Sequence, residues 1–276
     1  MQRSGNRRRD GPSPAIMFLL VQIYQALERL PVKPPVTIGL LFINIYAHLF
    51  NAEIFGYYLS NINQNCIHPE KIISSLFNRK EMLLNRLILS SVIHVDDMHL
   101  YYNMLSLLWK GIQLEGAMGS FDFGVLVAFS LVASHSIMIL LAYVLHHYFA
   151  GAVFSSGYTS CAVGFSAVLF ALKYVLNYNS PSTSNVMGVI NVPTKFACWA
   201  ELVLISVISP NASFVGHLAG IFAGILWTQR LVLRQRLEAA GGMNRNNIWG
   251  RYVGAAAAAA GGGGGRARNN NNRAWI

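Results

Sequence analysis

Apolar runs recur along the chain at lengths near those needed to cross a bilayer, separated by short polar or proline-bearing connections. Six spans are predicted: Val36 to about Tyr58, Val95 to Leu114, Phe121 to Leu145, Ala162 to Tyr178, Thr194 to Ile208 and Ser213 to Leu233. Pro31, Pro34 and Pro35 punctuate the chain before the first, and Pro181 closes the fourth. The apolar stretch from Pro14 to Leu30, ending in Glu28 and Arg29, reads as an interfacial helix or as a cytosolic extension leading into the first span. Residues 59–85 form a polar loop on the far side, and Leu83 to Ile93 is apolar enough to lie in the interface.

Composition places the pattern in a membrane. The chain is 54% hydrophobic and 12% charged, which excludes an ordinary soluble domain. The net charge of +10 does not point to nucleic acid, because the arginines crowd at the two ends and in short connections. Three divisions follow: a basic tail with a possible interfacial helix (1–33), a six-helix all-α membrane domain (34–234), and a low-complexity tail (235–276) with runs of Ala, Gly and Asn. An even number of spans between basic tails predicts both termini in the cytosol. Cys66, Cys161 and Cys198 are too few for a disulfide framework, and Cys161 and Cys198, at or in apolar segments, read as small buried groups.

Polar residues within the spans carry the chemistry. Spans two, four and six begin on the non-cytosolic side, and His94, His99, Asn103, Ser166 and His217 all fall near those starts. Ser166 is a weak nucleophile until a base takes its proton, which His217 can do. His99 and Asn103, four apart, share a helix face and can both donate to one oxyanion. The Ser166 backbone N–H, in a first helical turn, is a further donor. His94 and His99 are five apart, about 140° round a helix, so they do not make a two-histidine zinc face. Asp96 and Asp97 read as capping groups, and neither a metal nor a cofactor is expected. Gly216, Gly220 and Gly224 make a small-residue ladder, matched by Gly164, Ala167 and Ala171 on span four. Contact of those two surfaces would join Ser166 to His217. A transporter is disfavoured, since no charged pair or inverted repeat is evident.

The motifs His94-x4-His99-x3-Asn103, Gly164-x-Ser166 and His217-x2-Gly220 resemble those of the rhomboid intramembrane serine proteases, over residues 34 to 233. Arg86 and Glu115 match the arginine and glutamate of that family's first loop; Glu115 is read as an anchor in the cytosolic connection, away from the serine. The resemblance implies a six-helix rhomboid fold and a Ser–His dyad without an acid. It further implies an oxyanion site on the second helix and Phe170 stacked on the histidine ring. It implies substrates that are membrane-anchored proteins, residence in the endoplasmic reticulum membrane, and partners in ER-associated degradation. A catalytically inactive client-binding relative is the alternative. The chain departs from the family at Ala167, where glycine is common, at Asn85, where tryptophan often stands, and at Gly216, where alanine is usual.

Overall fold

The computed structural model describes residues 12–50, 53–54, 57–58, 61–78, 83–149, 157–178, 180, 182–186, 188–209 and 212–240. The architecture is helical. In chain order the helices are α1 (Pro14–Glu28), α2 (Pro35–Leu49), α3 (Ile62–Asn65), α4 (Pro69–Asn78), α5 (Leu83–Val92), α6 (Asp97–Met118), α7 (Ser120–Tyr148), α8 (Ser166–Asn177), α9 (Ala197–Ile208) and α10 (Phe214–Ala240). Two small antiparallel ribbons interrupt them: β1 (Glu53–Ile54) with β2 (Tyr57–Tyr58), and β3 (Thr183–Val186) with β4 (Ile190–Pro193). The first span therefore ends at Leu49 rather than near Tyr58. The polar connection after span four holds a hairpin, with Asn185 opposite Asn191.

Helix starts follow local chemistry. Ser13 caps α1, accepting from the Ile16 amide, and Pro14 and Pro35 occupy first-turn positions where a missing N–H costs nothing. Asp96 caps α6 by accepting from the His99 amide at 2.8 Å, as its sequence position predicted. Gly119, at φ 85°, makes the break between α6 and α7 that a side chain would resist.

Glu115 lies inside α6, nearly fully buried, rather than in a connection. Its carboxylate accepts from the backbone N–H of Val36 at 2.9 Å, the N–H of Thr37 at 2.8 Å and the Thr37 hydroxyl at 2.7 Å. It thus satisfies the orphan amides at the start of α2 and places an anion at that helix's positive end. At the other end of the pair, His48 of α2 meets Asp97 of α6 at 2.8 Å. These two ties fix α2 antiparallel to α6 along its whole length.

The first helix is neither an extension nor apart from the bundle. Ile16 and Leu19 are buried in the same cluster as Leu100, Met104 and Leu108 of α6. Phe18 stacks on Tyr101 with centroids 6.2 Å apart, and the short link from Arg29 to Pro34 returns the chain to α2 beside Glu115. So α1 packs along α6 and runs opposite to α2.

Among the described residues, α7 alone is both long and apolar enough to cross a membrane by length and composition. Helices α2, α8 and α9 are only 15, 12 and 12 residues long, and α6 carries His99, Asn103, Lys110 and Glu115. Polarity points inward while apolar side chains point out: Phe121, Val132, Leu140, Val203, Val207 and Leu226 are exposed, whereas Ser130, Ser134 and His135 of α7 are buried. That inversion suits a lipid exterior. Helix α5 is packed against the protein: Leu89, Ser90 and Ser91 are buried, and its Leu87 carbonyl lies 2.7 Å from His135 Nδ1. The sequence showed no charged pair, yet Lys173 of α8 and Glu201 of α9 form one.

Replacing Glu115 with Ala strands two buried amides at the start of α2. Unfolding in detergent should become easier by about 3 kcal/mol, within the range for removing one member of a buried charged network. Glu115→Gln should recover part of that loss, since its carbonyl still accepts.

Candidate active site

The site is assembled where α8 and α10 touch. An added methyl at Gly220 would lie 2.1 Å from the Ala167 carbonyl oxygen, and one at Gly224 would lie 2.8 Å from that of Ala171. The two backbones are therefore in direct contact along one seam, as the small-residue ladder predicted.

This approach brings Ser166 and His217 together. Ser166 opens α8, and His217 lies in the first turn of α10. His217 Nε2 is 3.0 Å from Ser166 Oγ. The Phe170 ring, one turn along α8, stacks on the imidazole with centroids 4.6 Å apart and planes 27° apart. His217 Nδ1 is buried and has no hydrogen-bond partner among the described residues. No carboxylate orients the ring; the stacked phenyl and the serine do. A hydroxyl within hydrogen-bond reach of an imidazole is the geometry of a nucleophile and its base.

Gly164 sets the approach to Ser166 from the other side. Its φ is 112°, and a methyl there would stand 2.7 Å from His99 Cε1 and Nε2. Both the conformation and the space admit only glycine. Its N–H donates to the Ser90 carbonyl at 2.8 Å, so α5 holds the turn that leads into α8. His99 thus sits against the glycine two residues before the serine. His94 is buried, its ring edge-on to that of His99 with centroids 5.0 Å apart, and neither of its nitrogens has a partner among the described residues. It is walled in between His48 and His99.

Asn103 is buried one turn below His99 and donates to that residue's carbonyl at 2.8 Å, while its own Oδ1 has no partner among the described residues. The amide nitrogen retains a second N–H for an incoming oxygen. Among the described residues, no group of three His, Cys, Asp or Glu is arranged to hold a metal.

Two elements beside the site organise the approach to Ser166, and the first of them escaped the sequence reading. Cys66 and Cys161 are joined in a disulfide, with Cα atoms 5.5 Å apart, five residues before Ser166. This corrects the expectation of separate buried cysteines; only Cys198 is free and buried. Both half-cystines fall in connections assigned to one side of the membrane, a signal that the cysteine count alone does not use. Arg86 is the second. Its guanidinium donates to the Cys66 carbonyl at 3.2 Å and the Asn63 carbonyl at 3.4 Å, so it organises the segment carrying the disulfide.

Comparison with known proteins identifies the family. The rhomboid domain matches residues 82–234. The chain is 43% identical over 227 residues to rhomboid-like protein 14, mitochondrial, of Arabidopsis thaliana, covering 82% of this chain and 65% of that one. It is 38% identical over 238 residues to rhomboid-related protein 4 of Homo sapiens, covering 86% and 69%. A more distant relative, rhomboid-type serine protease 2 of Eremothecium gossypii, is 28% identical over 166 residues, 59% of each chain. The chain belongs to the rhomboid family of intramembrane proteins. It spans about two thirds of the length of the Arabidopsis and human relatives. No solved structure matches it.

The seam can be tested apart from the chemistry. Gly220→Ala should force α10 away from α8, abolish reaction of Ser166 with a fluorophosphonate, and cost about 1–3 kcal/mol of stability through overpacking. Gly39→Ala, where nothing lies within 4 Å, should leave the labelling rate unchanged.

Proposed function

We propose that this protein is a serine endopeptidase that cleaves membrane-anchored proteins in or near their membrane segments, with Ser166 as nucleophile and His217 as general base. The observation that carries the reading is the 3.0 Å approach of His217 Nε2 to Ser166 Oγ, with Phe170 stacked on the ring. As Ser166 attacks a peptide carbonyl, its proton passes to Nε2; the imidazolium then protonates the leaving amine. Water repeats the sequence on the acyl-enzyme, with His217 again the base. The developing oxyanion is met by the Ser166 backbone N–H, by His99 and by the spare N–H of Asn103. His94 and Gly164 hold His99 in place, Gly220 lets His217 approach, and Arg86 and Glu115 support the scaffold. The name of the Eremothecium relative includes serine protease, which favours this reading over an inactive client-binding protein.

For topology, we propose that α2, α6, α7, α8, α9 and α10 cross the bilayer, as six spans, with the site opening to the lumen of the endoplasmic reticulum. The basic residues Arg230 and Arg234 near the end of α10 favour a cytosolic C-terminal tail. A disulfide beside the site favours an oxidising compartment on the opening side. Six spans between basic ends favour residues 1–13, with Arg3, Arg7, Arg8 and Arg9, in the cytosol as well. Residence in the endoplasmic reticulum and work with its degradation machinery rest on the likeness to rhomboid-related protein 4. The Arabidopsis relative's name places that protein in mitochondria, so co-localisation with mitochondrial rather than reticulum markers would refute the location.

Three measurements test the proposal. Ser166→Ala should abolish cleavage of a membrane-anchored substrate and fluorophosphonate labelling, with stability changed by no more than about 1 kcal/mol. Cleavage at the wild-type rate by that variant would remove Ser166 from the chemistry, and a wild type that never labels would favour the inactive relative. His99→Ala and Asn103→Ala should each slow turnover by about a hundredfold to a thousandfold with little effect on KM. Glycosylation acceptors placed within 69–75 should be modified and those within 255–265 should not; the reverse pattern would invert the topology.

A further inference from the structure

The segment that delivers Ser166 is held by a covalent strap. Cys161 is bonded to Cys66, and the next residue continues the tie: Ala162 and Ile67 exchange two backbone hydrogen bonds, each 2.9 Å. Two residues on, the Gly164 amide is held by Ser90 at 2.8 Å. Arg86 braces the far end by donating to the Cys66 carbonyl. Between the disulfide and the nucleophile lie four residues, one of them a glycine at φ 112° packed on His99. Without the sulfur bond the extended stretch from Cys161 to Phe165 depends on three backbone hydrogen bonds. Cys66 is 0% exposed and Cys161 is exposed, so one sulfur of the pair is open to attack and the other is not.

We propose that the Cys66–Cys161 bond is a redox-sensitive positioning device for Ser166: oxidised, it fixes the Gly164–Ser166 turn against His99, and reduced, it lets the serine and its backbone N–H drift from His217 and the oxyanion donors. The proposal rests on the reading of Ser166 as nucleophile. Reduction proceeds by attack of a dithiol's thiolate on the exposed Cys161 sulfur. The sulfur–sulfur bond breaks, and Cys66 leaves as a thiolate that takes up a proton. The second thiol of the reductant then attacks the mixed disulfide and releases Cys161 as a thiol, leaving the reductant as a cyclic disulfide. Oxidised glutathione reverses the exchange. Cys198, free and buried, takes no part.

The test uses the full chain in native membranes, treated with dithiothreitol after folding so that assembly is not in question. A maleimide mass tag counts the thiols released. Reduction should lower the fluorophosphonate reaction rate by about tenfold to a hundredfold, the loss that a displacement of about an ångström produces in a positioned group. For substrate cleavage, kcat should fall and KM change little, and oxidised glutathione should restore both. Hydrogen exchange across residues 162–168 should quicken on reduction. The double variant Cys66→Ser with Cys161→Ser should match the reduced wild type and ignore dithiothreitol; slowing of that variant by reductant would assign the effect elsewhere and overturn the proposal. So would unchanged rate and exchange in protein whose two thiols are shown to be free. If oxidised protein never labels, the protease reading fails, and the exchange measurement alone then decides whether the strap orders the turn.

Discussion

Everything at the site depends on how closely two helix backbones approach. Helices α8 and α10 meet at Gly220 and Gly224, where the carbonyls of Ala167 and Ala171 occupy the space that side chains would need. In lipid there is no hydrophobic gain from bringing two apolar helices together, so association depends on contact area and on polar groups that find each other. The seam supplies the first, and the Ser166–His217 hydrogen bond sits at its opening and supplies the second. Larger residues at these positions would separate the backbones, and a serine and a histidine 51 positions apart in sequence would have no reason to meet.

The polar chemistry is confined to where protein, not lipid, surrounds it. Glu115 is neutralised by two amides and a hydroxyl of α2, Asp97 by His48, and Lys173 by Glu201. Each tie joins two helices, so groups that would be costly alone in a bilayer act as cross-links. The Lys173–Glu201 pair bears on the transporter reading, which had been set aside partly because no such pair was visible. It connects α8 to α9 within the rhomboid scaffold and lies apart from the residues around Ser166.

The opening is ordered by short elements rather than by spans. Helix α5, the Ile67–Ala162 bridge, the disulfide and Arg86 converge on the residues just before α8. A helix start has unpaired amides, which makes it useful for receiving negative charge. The same feature leaves its leading residues without hydrogen bonds of their own, so they must be held from outside.

Much of this was legible in the residues alone. The His99–Asn103 spacing put both on one helix face, Asp96 was recognisable as a cap, and the glycine ladder marked the face of α10 that meets α8, because each depends only on helix periodicity. Other features were not legible. The first span was drawn too long, since nothing local distinguishes the end of α2 at Leu49 from continued helix. Glu115 was placed in a connection and Cys66 and Cys161 were left unpaired, because their partners, Thr37 and each other, are 78 and 95 residues away in sequence. The role of α1 was left open for the same reason: an apolar stretch of 15 residues does not say whether it rests on a membrane or lies along α6. Periodicity and residue type determine which groups share a face; only the packing of one helix on another decides which faces meet.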